Sequence, residues 1–209
     1  MQFSKEELKQ KFLLPLPGMD SHVKMAPLNR VPALIDNKNE SANAKKSAVL
    51  INFFHDDEIL KMIVIRRSKS VGIHAGQIAF PGGRYEDEDK TVLNTALREI
   101  EEEIGISADK IEILGRLSDI YVPPSNFLIS IFVGYLNRKP IYTIQESEVD
   151  EVIEIPFNLF FENEVIKQKD FVVSENRNNN FAPYYDIPNA SIWGASAMVI
   201  SELLDILSS

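Results

Sequence analysis

Two apolar runs separated by a short polar interval constrain the fold of this chain most strongly. Residues 47–54 read Ser-Ala-Val-Leu-Ile-Asn-Phe-Phe, residues 59–66 read Ile-Leu-Lys-Met-Ile-Val-Ile-Arg, and His55, Asp56 and Asp57 lie between them. Branched and aromatic side chains favour strands, and two such runs joined by a few polar residues are typical of a β-hairpin. Because both runs are almost continuously apolar, we expect them to be central strands of a sheet.

Helical patterns occur near both ends of the chain and in its middle. Ser4 and Glu7 form a capping-box pattern at the start of a short amphipathic helix over residues 4–13. A second pattern over residues 90–104 ends at Gly105, and residues 87–89 supply candidates for its N-cap. A third helix is predicted over residues 193–207, where apolar residues recur on one face.

Further strands are predicted between and after these helices. The strand candidates are residues 111–117, 128–136 and 148–156, and a late hairpin made by 171–174 and 184–187. A turn of helix is predicted at residues 157–161, after the third of these strands. Strands mixed with two main helices predict an α/β fold in which a mixed sheet lies in a sandwich. We expect residues 1–45 to form an N-terminal helix and an irregular arm packed on the domain, and residues 46–209 to form the domain itself.

Composition excludes several classes of protein and site. A net charge of −9 argues against a nucleic-acid scaffold, which needs a basic surface. The absence of cysteine excludes disulfides, thiolate zinc sites and a cysteine nucleophile. The charged N-terminus and the lack of an apolar run of about 18 residues predict a soluble intracellular protein without a membrane partner.

An acidic run in the second helical pattern carries the strongest functional signal. Residues 98–106 read Arg-Glu-Ile-Glu-Glu-Glu-Ile-Gly-Ile, so Glu99, Glu102 and Glu103 lie at i, i+3 and i+4 on about one helix face. Like charges at these spacings destabilise a helix by a few tenths of a kcal/mol, roughly, for each pair. A solvated acidic face is one interpretation. The glycines of Phe80-Pro81-Gly82-Gly83 upstream favour the other, a platform for a divalent cation.

The acidic run and the upstream glycines together resemble the Nudix box. The second half of the box, from Arg98 to Ile106, matches at every defined position. In the first half the glycine, Gly83, lies one residue further upstream than usual. Lys90 occupies the usual glutamate position, with Asp89 next to it.

The chain resembles the coenzyme A pyrophosphatase branch of the Nudix family more closely than it resembles the general box. The extra residue in the loop is expected of that branch, and Arg67-Ser68 leading to Phe80-Pro81-Gly82-Gly83 is similar to its additional signature. The chain differs from this signature at one position, because Gly72 lies near the place where the signature has its second arginine. A contact implied for coenzyme A recognition is therefore missing or supplied from elsewhere.

This resemblance implies a Nudix-like α/β/α sandwich and a cytoplasmic hydrolase that requires Mg²⁺, with Mn²⁺ as a substitute. The implied reaction splits coenzyme A or its derivatives into 3′,5′-ADP and the 4′-phosphopantetheine fragment. The alternatives are a pyrophosphatase of ADP-ribose, NADH or another nucleoside diphosphate derivative, and a catalytically silent binding module with this fold. The implied partner is a small-molecule nucleotide, not a nucleic acid, and a homodimer is allowed.

The resemblance also implies roles for the residues that match it. Glu99 and Glu103, one helical turn apart, are expected to bind Mg²⁺, with Glu102 available for a second ion or for shared water ligands. A carbonyl at Gly83 is implied as a further ligand, and Arg98 is expected to orient the glutamates.

Other roles stay open. The general base is open among Glu102, Glu148 and Glu151, with Glu148 preferred as base or extra metal ligand. Arg67 is a candidate for phosphate binding, against the alternative of a surface ion pair. His74 is a candidate substrate contact, although a histidine in such a glycine-bounded turn is more often structural.

Overall fold

The computed structural model describes residues 3–36, 43–69, 75–162, 164–171 and 180–209. Its helices and strands in chain order are α1 (Lys5–Lys11), α2 (Met19–His22), α3 (Val31–Asp36), β1 (Lys45–Asp56), β2 (Ile59–Arg67), β3 (Ile78–Ala79), β4 (Gly82–Arg84), α4 (Val92–Ile104), β5 (Ile111–Arg116), β6 (Ile120–Val122), β7 (Phe127–Leu136), β8 (Val149–Pro156), β9 (Ile166–Phe171), β10 (Asn180–Ile187), β11 (Ala190–Trp193) and α5 (Gly194–Ser208).

The main sheet is built around the predicted hairpin. β1 pairs with β2 in antiparallel fashion and with β7 in parallel fashion, while β8 joins β2 and β5 joins β7. The short strands β3, β4 and β6 pair with parts of β2, β1 and β7. Among the described strands, one parallel pair lies between antiparallel ones, which makes the sheet mixed and confirms the predicted mixed α/β fold.

The hairpin strands are buried on both faces, as their apolar runs predicted. In β1, Leu50 and Phe54 face the cluster of apolar side chains under α4, whereas Ile51 and Phe53 face the larger cluster that includes α5. Side chains alternate between the two faces of a strand, so a continuous apolar run is needed to fill both clusters. Helices therefore cover both faces, and the three-stranded sheet of β9, β10 and β11 packs on the α5 side.

The N-terminal segment packs on α5 through buried polar contacts. His22 Nε2 lies 2.9 Å from Glu202 Oε2, and the same carboxylate accepts hydrogen bonds from Ser118 and from the Gly18 N–H. The predicted capping box of Ser4 and Glu7 is confirmed. The arm is less irregular than predicted, because α2 and α3 lie within it. Helices of four and six residues are too short to produce a recognisable apolar period.

The start of the helix that carries the acidic run differs from the prediction. The helix of the acidic run begins at Val92 with Thr91 as its N-cap, whereas Asp87–Asp89 form a separate 3-10 turn. Lys90 has a φ of 64°, which interrupts the helical path between the turn and α4.

The C-terminal part of the chain also differs from prediction. The last helix begins at Gly194, and the preceding residues form strand β11, which was not predicted. The late hairpin pairs β9 with β10, and residues 172–174 of the predicted strand lie outside the described residues. Within the part of the chain that the structure describes, no helix is long and apolar enough to cross a membrane.

Candidate functional site

The glycines Gly82 and Gly83 allow α4 to lie directly against β4. The Gly82 N–H donates a hydrogen bond of 2.9 Å to Glu103 Oε2. Gly82 has a φ of 151°, and a Cβ there would lie 2.2 Å from the carbonyl oxygen of Ala48. A Cβ on Gly83 would lie 2.3 Å from the carboxyl group of Glu99. Gly82 therefore allows the close approach of β4 to β1, and a side chain at position 83 would displace the Glu99 carboxylate.

Three carboxylates from two parts of the chain meet at this point. Ligand oxygens of Glu99, Glu103 and Glu148 all lie within 4.8 Å of one another. The Glu103 side chain is only 1% exposed, the Glu99 side chain is 13% exposed, and Glu148 is exposed. The cluster thus opens to solvent on the Glu148 side.

The loop before β8 brings Glu148 to the helix. Its backbone N–H groups at Thr143 and Gln145 donate to the carbonyl oxygens of Ile104 and Glu103, at 3.0 and 2.9 Å. The carbonyl of Glu148 then accepts a hydrogen bond of 2.8 Å from the Ser68 N–H, at the end of β2. Backbone carbonyls at the end of α4, which have no partner within the helix, therefore hold the third carboxylate in place.

The electrostatics of the cluster favour a bound cation. Burial raises the pKa of Glu103 to about 8, with the charges of Glu99 and Glu148 adding to the rise. The Gly82 N–H and Arg67, whose Nη1 lies 3.5 Å from Glu103 Oε1, lower that pKa without cancelling the rise. Burial is also the main cause of the raised pKa of Glu99.

These residues fit a hard divalent cation. Oxygen ligands from a few carboxylates, with one side open for water, match the way in which proteins bind Mg²⁺. A cation would also relieve the mutual repulsion of three converging carboxylates, which otherwise favours their protonation.

Arg98 connects the helix to the preceding turn. Its Nε and Nη2 lie 2.8 and 3.1 Å from the two carboxylate oxygens of Asp89, and its Nη1 lies 3.0 Å from Glu99 Oε1 and 2.8 Å from Glu102 Oε2. The Arg98 guanidinium lowers the pKa of Asp89 to about 2. Its Nη2 also donates to the carbonyl of Arg84, so Arg98 fixes the β4 end of the loop.

The structure brings together most of the predicted site residues. Glu99, Glu103 and Glu148 share the cluster, with Gly83 and Arg67 in contact with its members. Glu102 does not join them, because its side chain is 59% exposed and pairs with Arg98. Glu151 is also separate, since it is exposed and pairs with Arg66 at 3.2 Å. His74 and Gly72 lie outside the described residues.

Sequence reasoning missed two residues of the site. Asp89 takes the bidentate contact with Arg98, and its position beside the usual glutamate place of the Nudix box could have indicated this. Arg30, in the N-terminal arm, lines the adjoining cavity. A lone arginine in a proline-containing segment gives no sequence signal for such a position.

A cavity of about 600 Å³ adjoins the carboxylate cluster. Gly82, Gly83 and Arg67 line it at the cluster, and apolar side chains line much of the rest, among them Val49, Ile129, Ile131, Trp193 and Val199. A second cavity of about 700 Å³ lies beyond Trp193 and is lined by Arg66 and Asp186 among others. The first cavity has the size and mixed lining of a small-molecule site and borders the carboxylates.

The fold and sequence are similar to those of known proteins. The profile of the NUDIX domain family matches residues 44–175. The chain is 26% identical to Nudix hydrolase 3 of Caenorhabditis elegans over 99% of this chain and 88% of that protein. It is 30% identical to the uncharacterized Nudix hydrolase NudL of Yersinia pestis over 97% of this chain and 94% of that protein.

Solved structures show the same fold at low sequence identity. A MutT/nudix family protein from Enterococcus faecalis superposes with a TM-score of 0.55 at 15% identity, covering 100% of this chain and 76% of that one. The NUDIX domain of Shewanella oneidensis NrtR, solved in complex with ADP ribose, gives a TM-score of 0.54 at 15% identity, covering 84% of this chain and 97% of that one.

Proposed function

The chain belongs to the Nudix domain family and is a pyrophosphohydrolase, and we propose that it cleaves the diphosphate of coenzyme A or its derivatives with Mg²⁺ as cofactor. The proposed products are 3′,5′-ADP and 4′-phosphopantetheine or its acyl form. Mn²⁺ is proposed as a substitute for Mg²⁺. The convergence of Glu99, Glu103 and Glu148 within 4.8 Å, next to residues that line a cavity, is the observation that carries this proposal.

The proposed roles follow from the contacts. Glu99 and Glu103 would hold the cation together with a backbone carbonyl at Gly83, and Glu148 would act as a further ligand or as the base that removes a proton from water. When bound, the cation would offset the negative charge that builds up on the phosphate oxygens during hydrolysis. Glu102, at the surface, is a weaker candidate for the base.

Two arginines have different proposed roles. Arg98 contacts Asp89, Glu99 and Glu102 rather than the cavity, which supports a role in positioning carboxylates. Arg67 lines the cavity and lies beside Glu103, which supports binding of a phosphate oxygen. A guanidinium suits that contact because its planar set of donors matches phosphate geometry.

Coenzyme A is proposed because of the resemblance at Arg67-Ser68 and at Phe80-Pro81-Gly82-Gly83. The alternative is the same cleavage of ADP-ribose, NADH or another nucleoside diphosphate derivative. ADP-ribose is included in the test because the similar NrtR domain was solved in complex with ADP ribose. A silent binding module is the third candidate, although three converging carboxylates are costly without a cation.

The proposal is tested by incubating purified protein with Mg²⁺ or Mn²⁺ and a panel of substrates. The panel contains coenzyme A, an acyl-coenzyme A, ADP-ribose, NADH and a diadenosine polyphosphate, with products separated by chromatography. We expect 3′,5′-ADP from coenzyme A at the highest kcat/KM. Higher turnover of ADP-ribose or NADH would replace the substrate assignment, and no cleavage of any member would reject the enzyme.

Replacing Glu148 with glutamine is expected to lower kcat by about 10² or more, since a positioned base contributes that much. Glu151→Gln is the matched control, because Glu151 lies three residues further along, in β8, and pairs with Arg66 outside the cluster. Steady-state rates and metal affinities of both variants are the measurement. A loss in Glu148→Gln with unchanged metal affinity would identify a base, and an equal loss in both variants would contradict the assignment.

The cytoplasmic location and the homodimer remain predictions. Analytical ultracentrifugation of the purified protein tests the assembly.

A further inference from the structure

The cavity beside the carboxylates is positively charged in an acidic protein. Three arginines line it, Arg30, Arg67 and Arg84, and none of the described lining residues is an aspartate or glutamate. The whole chain has a net charge of −9. A basic lining inside an acidic molecule attracts anions into the cavity and away from the rest of the surface.

Arg30 is the arginine whose position needs an explanation. Its Nη2 donates a hydrogen bond of 3.2 Å to the carbonyl of Tyr121, but its buried Nε has no hydrogen-bond partner within the described structure. No ion pair of Arg30 with a described carboxylate is present either. Burial lowers the pKa of the guanidinium, yet an arginine remains charged in proteins. Burying a cation with an unsatisfied donor lowers the stability of the fold. An anion from outside the chain would supply both a hydrogen-bond acceptor for Nε and a counter-charge for the guanidinium.

The sheet register places the Tyr121 carbonyl, which Arg30 contacts, three strands away from β4. Tyr121 pairs with Leu128 on β7, Leu128 pairs with Lys46 on β1, and Lys46 accepts a backbone hydrogen bond from Tyr85, next to β4. Three strand spacings separate Tyr121 from this end of β4, which amounts to roughly 14 Å. The Arg30 guanidinium is therefore anchored on the β6 side of the cavity, across from the end that borders the carboxylates, and an anion beside it would come from a part of the ligand other than the diphosphate at the cluster.

We propose that Arg30 binds a phosphate monoester that the substrate carries outside its scissile diphosphate, so that the cleft selects diphosphates with a third phosphate group. This inference rests on the proposed function and assigns a specificity residue to the same site. Arg30 lies outside residues 44–175, which match the family profile. The N-terminal arm thus supplies one wall of the cleft, and the Arg30–Tyr121 contact fixes that wall to β6.

The first test compares substrates that differ only in that phosphate. Coenzyme A carries a 3′-phosphate and dephospho-coenzyme A does not, so kcat/KM is measured for both with the wild type, Arg30→Gln and Arg30→Lys. The wild type should prefer coenzyme A at least tenfold, Arg30→Gln should lose most of that preference through KM, and Arg30→Lys should retain part of it. Arg138→Gln, an exposed arginine that does not line the cavity, is the control for the loss of one charge and should behave as the wild type.

The second test needs no turnover and separates this inference from the proposed function. Isothermal titration calorimetry with Mg²⁺ compares 3′,5′-ADP with AMP, which lacks the 3′-phosphate. The wild type should bind 3′,5′-ADP at least tenfold more tightly, and Arg30→Gln should lower that affinity while leaving the affinity for AMP within about twofold.

The outcomes are distinct. If the wild type binds the two nucleotides equally, or if Arg30→Gln weakens both equally, Arg30 has only a structural role and the proposal is overturned. The first of these results holds whether or not the variant folds. If no diphosphate is cleaved but the difference in nucleotide binding depends on Arg30, the inference stands and the proposed function fails.

Discussion

Replacing Glu103 with glutamine is expected to lower kcat/KM for the diphosphate substrate by about 10³, while the protein stays folded. A bound cation supplies several kcal/mol of transition-state stabilisation, and loss of about 4 kcal/mol corresponds to that factor. Glutamine keeps an oxygen that can accept the Gly82 N–H hydrogen bond, now 2.9 Å long, so the contact between α4 and β4 survives. Steady-state kinetics and circular dichroism of the variant are the measurements.

Glu101→Gln is the matched control for this variant. Glu101 is an exposed glutamate of the same helix and lies outside the carboxylate cluster, so its replacement should change kcat/KM by less than about threefold. Wild-type turnover in Glu103→Gln, or an equal loss in both variants, would contradict the role assigned to Glu103.

The Glu103 variant also has a pH-dependent effect on stability in metal-free protein. The pKa of Glu103 is raised to about 8 in the folded state from 4.5, so the unfolded chain releases the proton first as pH rises. The wild type therefore loses stability between about pH 4.5 and pH 8, whereas glutamine has no proton to lose. Glu103→Gln should gain stability relative to wild type as pH rises from 5 to 8, as measured by urea denaturation in EDTA. A constant difference across this range would contradict the raised pKa.

Replacing Gly82 with alanine is expected to lower the free energy of unfolding by about 3 kcal/mol or more, and to abolish activity with it. An added Cβ would lie 2.2 Å from the carbonyl oxygen of Ala48 and 2.6 Å from the Cα of Val49, which are backbone atoms of a central strand. Overpacking against atoms that cannot move costs about 1–3 kcal/mol, and the φ of 151° adds strain for a residue with a Cβ. Urea denaturation followed by tryptophan fluorescence measures the change.

Gly194→Ala is the control that separates the cost of a positive φ from the cost of a steric clash with neighbouring atoms. Gly194 also has a positive φ, 63°, but a Cβ there would meet no atom within 4 Å. Its replacement should therefore cost only about 1 kcal/mol. If Gly82→Ala were no more destabilising than Gly194→Ala, the close approach of β4 to β1 would not be what requires glycine at position 82.

The central hairpin and the helix of the acidic run could be predicted because each depends on local sequence. Continuous apolar runs determine that β1 and β2 fill two cores, and Gly105 ends α4 in the left-handed conformation that glycine favours. The spacing of Glu99 and Glu103 alone places them on one helix face. Each of these features is determined by a few residues that are close in the sequence.

The parts that could not be predicted depend on contacts between distant residues. Thr91, Asp87 and Asp89 are all acceptable N-cap residues, and the choice follows from Asp89 being held by Arg98 and Thr95. Glu148 joins the cluster because the loop before β8 binds the carbonyls at the end of α4, whereas Glu102 is exposed and pairs with Arg98. Arg30 reaches the cavity only through the path of short helices in the arm. No local pattern encodes these three arrangements.

Binding of Mn²⁺ to metal-free protein tests most directly whether the three carboxylates form a cation site. Free Mn²⁺ is followed by electron paramagnetic resonance during titration of the wild type, Glu103→Gln and Glu101→Gln. The wild type should bind at least one Mn²⁺ ion, Glu103→Gln should bind it at least tenfold more weakly, and Glu101→Gln should match the wild type. Absence of binding to the wild type, or unchanged affinity in Glu103→Gln, would contradict the assignment of Glu99, Glu103 and Glu148 as the metal centre.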